Sequence, residues 1–196
     1  MIDFQKLAQP GPNMLPRLAL VRQMIERYDP DAVSRMLSPN ESMIGDNYMW
    51  VGQSAVEAII ASVGSSLLTS VNTVLDFPCG HGRVLRHLVE LFPDAQFDVC
   101  DLDEDGADFC AKRFGAEMVP PKAELTEATF PRKYDLIWIG SLFTHVSEER
   151  TARWLAFLAD QLTDKGIIVV LDNRILAKQY GRAFMNAIPK CPVEIV

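Results

Sequence analysis

The sequence predicts an α/β fold: a doubly wound, mostly parallel sheet with helices on both faces, preceded by a helical N-terminal segment. Three observations carry this. From Thr73 onward, short apolar runs alternate with stretches of helical period, the pattern of strands buried on both faces between crossover helices. The first run leads into a glycine-bearing turn, Gly80-His81-Gly82, that opens directly onto a helix. The second run closes on a carboxylate pair, Asp101 and Asp103.

Element by element, residues 15–28 read as an amphipathic helix after the breaker run Pro10-Gly11-Pro12. Residues 31–37 read as one or two further helical turns stopped by Ser38-Pro39. A polar and aromatic loop containing Tyr48, Met49 and Trp50 follows. Ser54 with Glu57 three residues later then forms a capping-box signature, opening a helix through residue 68. Strands are predicted at 73–77, 96–101, 117–119 (weakly), 134–140 and 166–172, and helices at 83–92, 103–114, 148–162 and 175–188. The chain stops at Pro192-Val193-Glu194-Ile195-Val196, the beginning of a strand with no polar tail. That ending predicts incomplete C-terminal strands and a truncated chain, with a terminal edge strand as the alternative. Residues 1–70 are expected to form a helical extension or lid and residues 71–196 the ligand-binding domain.

Composition narrows the function. The 196 residues are 48% hydrophobic and 23% charged, ordinary for one globular domain with a small appendage. The net charge of −7 argues against a nucleic-acid binder, which carries a basic face; Arg83 and Arg86 read as a solvated helix surface. No apolar run approaches the ~20 residues of a bilayer span. The first ten residues lack a secretory apolar core, so a cytoplasmic protein without membrane attachment is expected. Cys79, Cys100, Cys110 and Cys191 have neither metal-ligand nor disulfide spacing and read as reduced core thiols. No metal site is expected.

In open parallel sheets, ligands bind outside the carboxyl ends of the strands. Asp76 ends the first strand, followed by Phe77-Pro78-Cys79-Gly80-His81-Gly82-Arg83. A dinucleotide fingerprint beginning at Gly80 requires glycine at position 85, which is Leu85, and the Gly-Lys-Ser/Thr of a P-loop is absent. A carboxylate facing the turn suits an ammonium group better than a pyrophosphate. The combination favours a cofactor carrying an amino acid. At the second strand end, Asp101 can hold ribose hydroxyls or cap the next helix, a role Asp103 fits better. Leu102 can cover an adenine face.

These stretches resemble the class I S-adenosylmethionine-dependent methyltransferases, and the resemblance covers about residues 73–172. Residues 74–82 look like that family's first motif, whose acidic residue and glycines hold the methionine part. Residues 97–101 look like its ribose motif. Residues 134–141, ending in Gly140-Ser141, look like its fourth strand, whose end lines the cofactor and acceptor pocket. The resemblance implies a Rossmann-like methyltransferase sheet. It also implies S-adenosylmethionine as cofactor, held by Asp76, Phe77, Pro78, Gly80, His81, Asp101, Leu102, Gly140 and Ser141, with Tyr48 or Trp50 as an aromatic cover. Two positions depart from the pattern. Pro78 stands where the family usually has glycine, removing one N–H, and the stretch after the third strand offers only Glu124 for the adenine amino group.

The expected function is methyl transfer to a small-molecule acceptor, with no nucleic-acid or membrane partner. His145, just beyond the fourth strand, is the candidate general base; a capping or packing histidine is the alternative. His81 is expected to flank the cofactor, and His87 to sit on the surface without a role. Two other functions fit less of the pattern. One is a binding or assembly subunit that keeps the pocket without transfer. The other is a nicotinamide-dependent oxidoreductase, which Leu85 and Asp76 disfavour.

Overall fold

The computed structural model describes residues 14–171 and 193–195. Two helices come first, α1 (Met14–Arg27) and α2 (Tyr48–Ser65). Then follow β1 (Thr73–Asp76), α3 (Leu85–Leu91), β2 (Gln96–Val99), α4 (Glu104–Phe114), β3 (Glu117–Met118), β4 (Tyr134–Gly140), α5 (Glu148–Ala159), β5 (Leu162–Leu171) and β6 (Val193–Ile195). The six strands lie in the order β3-β2-β1-β4-β5-β6, and every neighbouring pair is parallel. This is the doubly wound arrangement the alternation predicts, with its topological switch point between β1 and β4. β6 runs beside β5, Val193 opposite Ile168. The predicted helix at 175–188 lies outside the described residues.

Strand periodicity sorts the core into two layers. Val74, Leu136, Trp138, Ile167 and Val169 face α1 to α4, where they meet Met24, Val56, Ile59, Leu85, Leu88 and Cys110. Leu75, Ile137, Ile139, Ile168 and Val170 point the other way, onto Trp154, Leu155 and Leu158 of α5. Successive residues of a strand alternate between the two layers, so residues 136–139 of β4 and 167–170 of β5 are continuous apolar runs. Cys79, Cys100 and Cys110 are buried free thiols.

Local chemistry sets the element ends. Asp103 caps α4 by accepting from the Gly106 N–H; Glu104 and Asp105 begin the helix, Lys112 and Arg113 end it, and Gly115 at φ 71° stops it. Ser147 caps α5 through the Arg150 N–H, with Glu148 and Glu149 in the first turn.

Three expectations are corrected. Residues 31–37 form a turn followed by irregular backbone, not a helix. α2 begins six residues before the predicted capping box, and the Ser54 hydroxyl bonds back to the Val51 carbonyl inside the helix instead of capping it. α5 ends at Ala159, so the chain re-enters the sheet at Leu162, with a register irregularity between Tyr134 and Leu136 before regular pairing resumes at Ile167. Among the described residues, no helix is long and apolar enough to cross a membrane.

Candidate cofactor and acceptor site

The carboxyl ends of β1, β2 and β4 open onto one cavity of about 330 Å³. It is lined by Asp76, Pro78, Gly80, His81, Asp101, Gly140, Ser141 and His145, all named from the sequence. Asp103, Arg83, Trp138 and Leu171 join them, and residues 41–43 with Val51 close the N-terminal side.

Asp76 is the central group. It is 1% exposed, and neither carboxylate oxygen has a hydrogen-bond partner among the described residues. Burial, and then the neighbouring Asp101 charge, hold its carboxyl well above the usual carboxylate range. Asp98, one strand away, is just as buried, yet its Oδ2 accepts from Tyr134 at 2.6 Å and lies 3.1 Å from Arg132 Nε. A buried carboxylate normally has such partners. Asp76 has instead the cavity.

The turn after β1 is held from several sides. Asp101 Oδ2 accepts from the Gly80 N–H at 2.7 Å, while Oδ1 accepts from the Asp103 N–H at 2.9 Å. Asp101 therefore ties the glycine turn to the start of α4. Gly80 sits at φ 49°, and a side chain there would project into open space, so its backbone is bare toward the cavity. Gly106 of α4 presses on this turn from behind: a Cβ there would stand 2.5 Å from the Gly80 carbonyl oxygen. His81 is 7% exposed, with Nε2 3.0 Å from Asp105 Oδ2. Asp105 also accepts from the Asn40 side chain at 3.0 Å; that bond first, and the His81 bond second, keep its carboxyl below the usual range. The Phe77–Pro78 peptide is cis. Cys79 is buried in the core beside Cys110, and the hydrogen bond to Cys110, followed by burial, pushes its thiol well above the usual range.

The turn after β4 is more open. Ser141 stands at φ 56° with its N–H bonded to the Leu171 carbonyl, and both Ser141 and His145 are exposed. His145 belongs to a short 3-10 turn, Phe143–His145, ahead of the Ser147 cap.

Five sequence-named residues stand apart from the cavity lining, Phe77, Leu102, Tyr48, Glu124 and Trp50, the last of them exposed at the surface. The Phe77 side chain enters the core on the α5 face, because it is one residue out of phase with Asp76. Leu102 is 67% exposed. Tyr48 is buried below the cavity wall, donating to Glu41 at 2.8 Å. Glu124 is fully engaged: Trp154 Nε1 donates to it, as does Arg153 at 2.9 Å, and Arg150 lies 3.4 Å away.

Two readings of surface residues are reversed. Arg86 is fully buried, and His87 is 2% exposed with Nδ1 2.7 Å from the Tyr28 hydroxyl. Burial, followed by the Arg86 charge, pushes the His87 imidazole down to about 4. Arg83 does line the cavity, and among the described residues it forms no ion pair. No group of three or more potential metal ligands occurs among the described residues.

Residues 75–168 match a family model described as a methyltransferase domain. The match covers 94 of the chain's 196 residues. Similar solved structures share its fold. The plantazolicin methyltransferase BpumL in complex with SAH is 18% identical, with a TM-score of 0.55 over 87% of this chain and 66% of that one. The N-methyltransferase NodS from Bradyrhizobium japonicum is 14% identical, with a TM-score of 0.52 over 74% of this chain and 84% of that one. DesVI from Streptomyces venezuelae is 21% identical, with a TM-score of 0.50 over 64% of this chain and 51% of that one, so the match spans about half of its length. No curated protein matches the chain significantly.

Proposed function

We propose that this domain binds S-adenosylmethionine in the cavity at the ends of β1, β2 and β4 and transfers its methyl group to a small-molecule acceptor. The observation that carries the reading is Asp76. A buried carboxylate without a partner, facing a cavity, is a costly arrangement, and a ligand ammonium compensates it. Arg83, a cation at the same turn without an ion pair among the described residues, suits the carboxylate of the same amino-acid group. The bare backbone of Gly80 permits close approach. Asp101 has one lone pair on each oxygen left after its backbone bonds, enough to accept from a ribose diol.

The cofactor, when bound, supplies a methyl group on a positively charged sulfur, which departs as a neutral thioether. The domain's own residues therefore need to orient and desolvate more than to protonate. His145 and Ser141, exposed at the end of β4, are placed to meet an acceptor, and His145 would take a proton from a hydroxyl or amine acceptor. The solved structures sharing the fold include a plantazolicin methyltransferase and an N-methyltransferase, in keeping with a small-molecule acceptor. Residues 41–51 would serve as the cover of the site.

Titration calorimetry tests the cofactor. S-adenosylhomocysteine and S-adenosylmethionine should bind and NAD should not. Asp76→Asn should weaken S-adenosylhomocysteine at least ~30-fold, the loss of one buried charged hydrogen bond and its ion pair. The same variant should melt higher than the wild type without ligand at neutral pH. The folded-state pKa of Asp76 is raised, so its stability contribution is present at low pH and is lost as pH rises; the neutral amide escapes that loss. NAD binding in preference, or unchanged affinity in Asp76→Asn, would sink the reading.

A further inference from the structure

Arg86 is an unusual residue to bury. Its side chain is fully enclosed, and among the described residues no carboxylate forms a salt bridge with it. The charge is held by dipoles instead, and all five guanidinium donors are used. Nε donates to the Gly82 carbonyl at 2.9 Å, and one terminal nitrogen to the Ser34 and Met36 carbonyls at 2.7 and 2.9 Å. The other reaches the Tyr48 hydroxyl and the His81 carbonyl, each at 3.4 Å. The plane also stacks against Tyr48 and Phe114, with ring centroids 5.3 and 5.5 Å away.

Those acceptors belong to two parts of the chain far apart in sequence. Gly82 and His81 form the glycine turn that lines the cavity. Ser34, Met36 and Tyr48 belong to the N-terminal segment, and none of the three lines it. Through Tyr48 the chain of bonds continues to Glu41, whose other oxygen accepts from the Met43 N–H at 2.8 Å, and Glu41 and Met43 do line the cavity. A planar fork with five fixed donors can serve this set; a lysine ammonium has three donors and no plane.

We infer that Arg86 is a positioning residue that couples the glycine turn to residues 34–48, so that occupancy of the cavity and ordering of the N-terminal segment are one event. A ligand that fixes the turn fixes the Gly82 and His81 carbonyls, and with them the fork that holds Ser34 and Met36. The inference rests on the proposed cofactor, because the ligand used to test it is S-adenosylhomocysteine.

Hydrogen–deuterium exchange of the whole chain, with and without S-adenosylhomocysteine, tests it for wild type and Arg86→Lys. The readout is the amides of residues 33–37, which do not touch the cavity. In the wild type, ligand should slow their exchange together with that of residues 79–86. In Arg86→Lys, protection should persist at 79–86 and vanish at 33–37, while the dissociation constant rises about tenfold, the equivalent of one charged hydrogen bond. If Arg86→Lys does not fold, Tyr48→Phe replaces it. That variant keeps the ring under the guanidinium and removes only the bridging hydroxyl, and should lower protection at 33–37 at least twofold. Wild-type binding without protection at 33–37, or undiminished protection in the variant used, overturns the coupling alone. No binding by the wild type overturns the cofactor reading and the coupling with it.

Discussion

The turn after β1 and the turn after β4 both line the cavity, yet they are built to opposite rules. In the first, Gly80 is bonded to Asp101, His81 is buried against Asp105, and the carbonyls of His81 and Gly82 lie under Arg86. In the second, Ser141 and His145 stand exposed, His145 on a short 3-10 turn. One half is held by hydrogen bonds from several sides; the other is open to solvent. In the proposed reaction the first half holds what never changes between turnovers, and the second receives what does.

The sharpest way to test this division is to cut each half and ask which parameter moves. His145→Ala, on the open side, should lower kcat about 100-fold or more if the imidazole accepts the acceptor's proton. The affinity for S-adenosylhomocysteine should change less than twofold. Parallel loss of both, measured by steady-state kinetics beside calorimetry, would assign His145 to the bonded half.

On the bonded side, Asp101→Ala should weaken S-adenosylhomocysteine by at least ~1.5 kcal/mol, more than tenfold. Two losses contribute, because the same carboxylate bonds the Gly80 amide and would accept from the ribose. His87 probes the underside of that half. Its imidazole is depressed to about 4 in the folded chain against an ordinary 6.5, so its stability contribution is present above pH 6.5 and lost as pH falls toward 4. Between pH 6.5 and 5.5 the wild type should lose about 1 kcal/mol that His87→Gln retains, read by urea unfolding at the two pH values. Smallest of all is Asp103→Ala. Its capping bond to Gly106 is long, 3.4 Å, so the variant should cost at most ~1 kcal/mol of stability and leave ligand affinity nearly intact. If Asp101→Ala and Asp103→Ala exchanged phenotypes, the roles given to the two carboxylates would be reversed.

How much of this was legible in the sequence follows from which bonds involve side-chain pattern and which involve backbone. The alternation after Thr73 carries the parallel α/β architecture, because crossover geometry permits few arrangements of such a pattern. Asp76 and Asp101 were legible as strand-end carboxylates, since position at a strand end is itself a pattern. Arg86 and His87 were not. Arg86 is satisfied almost wholly by main-chain carbonyls, which every residue possesses, so no sequence spacing announces it. His87 is buried because Gly52 of α2 leaves space for its ring, a match between elements 35 positions apart. Ser54 and Glu57 show the converse: the capping signature is present, but α2 starts at Tyr48 and carries it into the helix interior. Glu124 was read as a candidate for the adenine because it follows β3; α5 brings Trp154, Arg150 and Arg153 onto it, and none of these is near it in sequence.

Gly106 has a consequence for anyone seeking a sturdier version of this protein. A glycine inside a helix is among the first positions chosen for heat-resistance engineering, since alanine there gains roughly 0.5–1 kcal/mol in an open helix. Here the added methyl would stand 2.5 Å from the Gly80 carbonyl oxygen, which is backbone and cannot swing aside. To make room, α4 or the glycine turn that lines the cavity must shift. The position is thus closed to improvement by the usual rules, and a survey ranking variants by helix propensity alone would select a change that displaces the packing of α4 on the glycine turn.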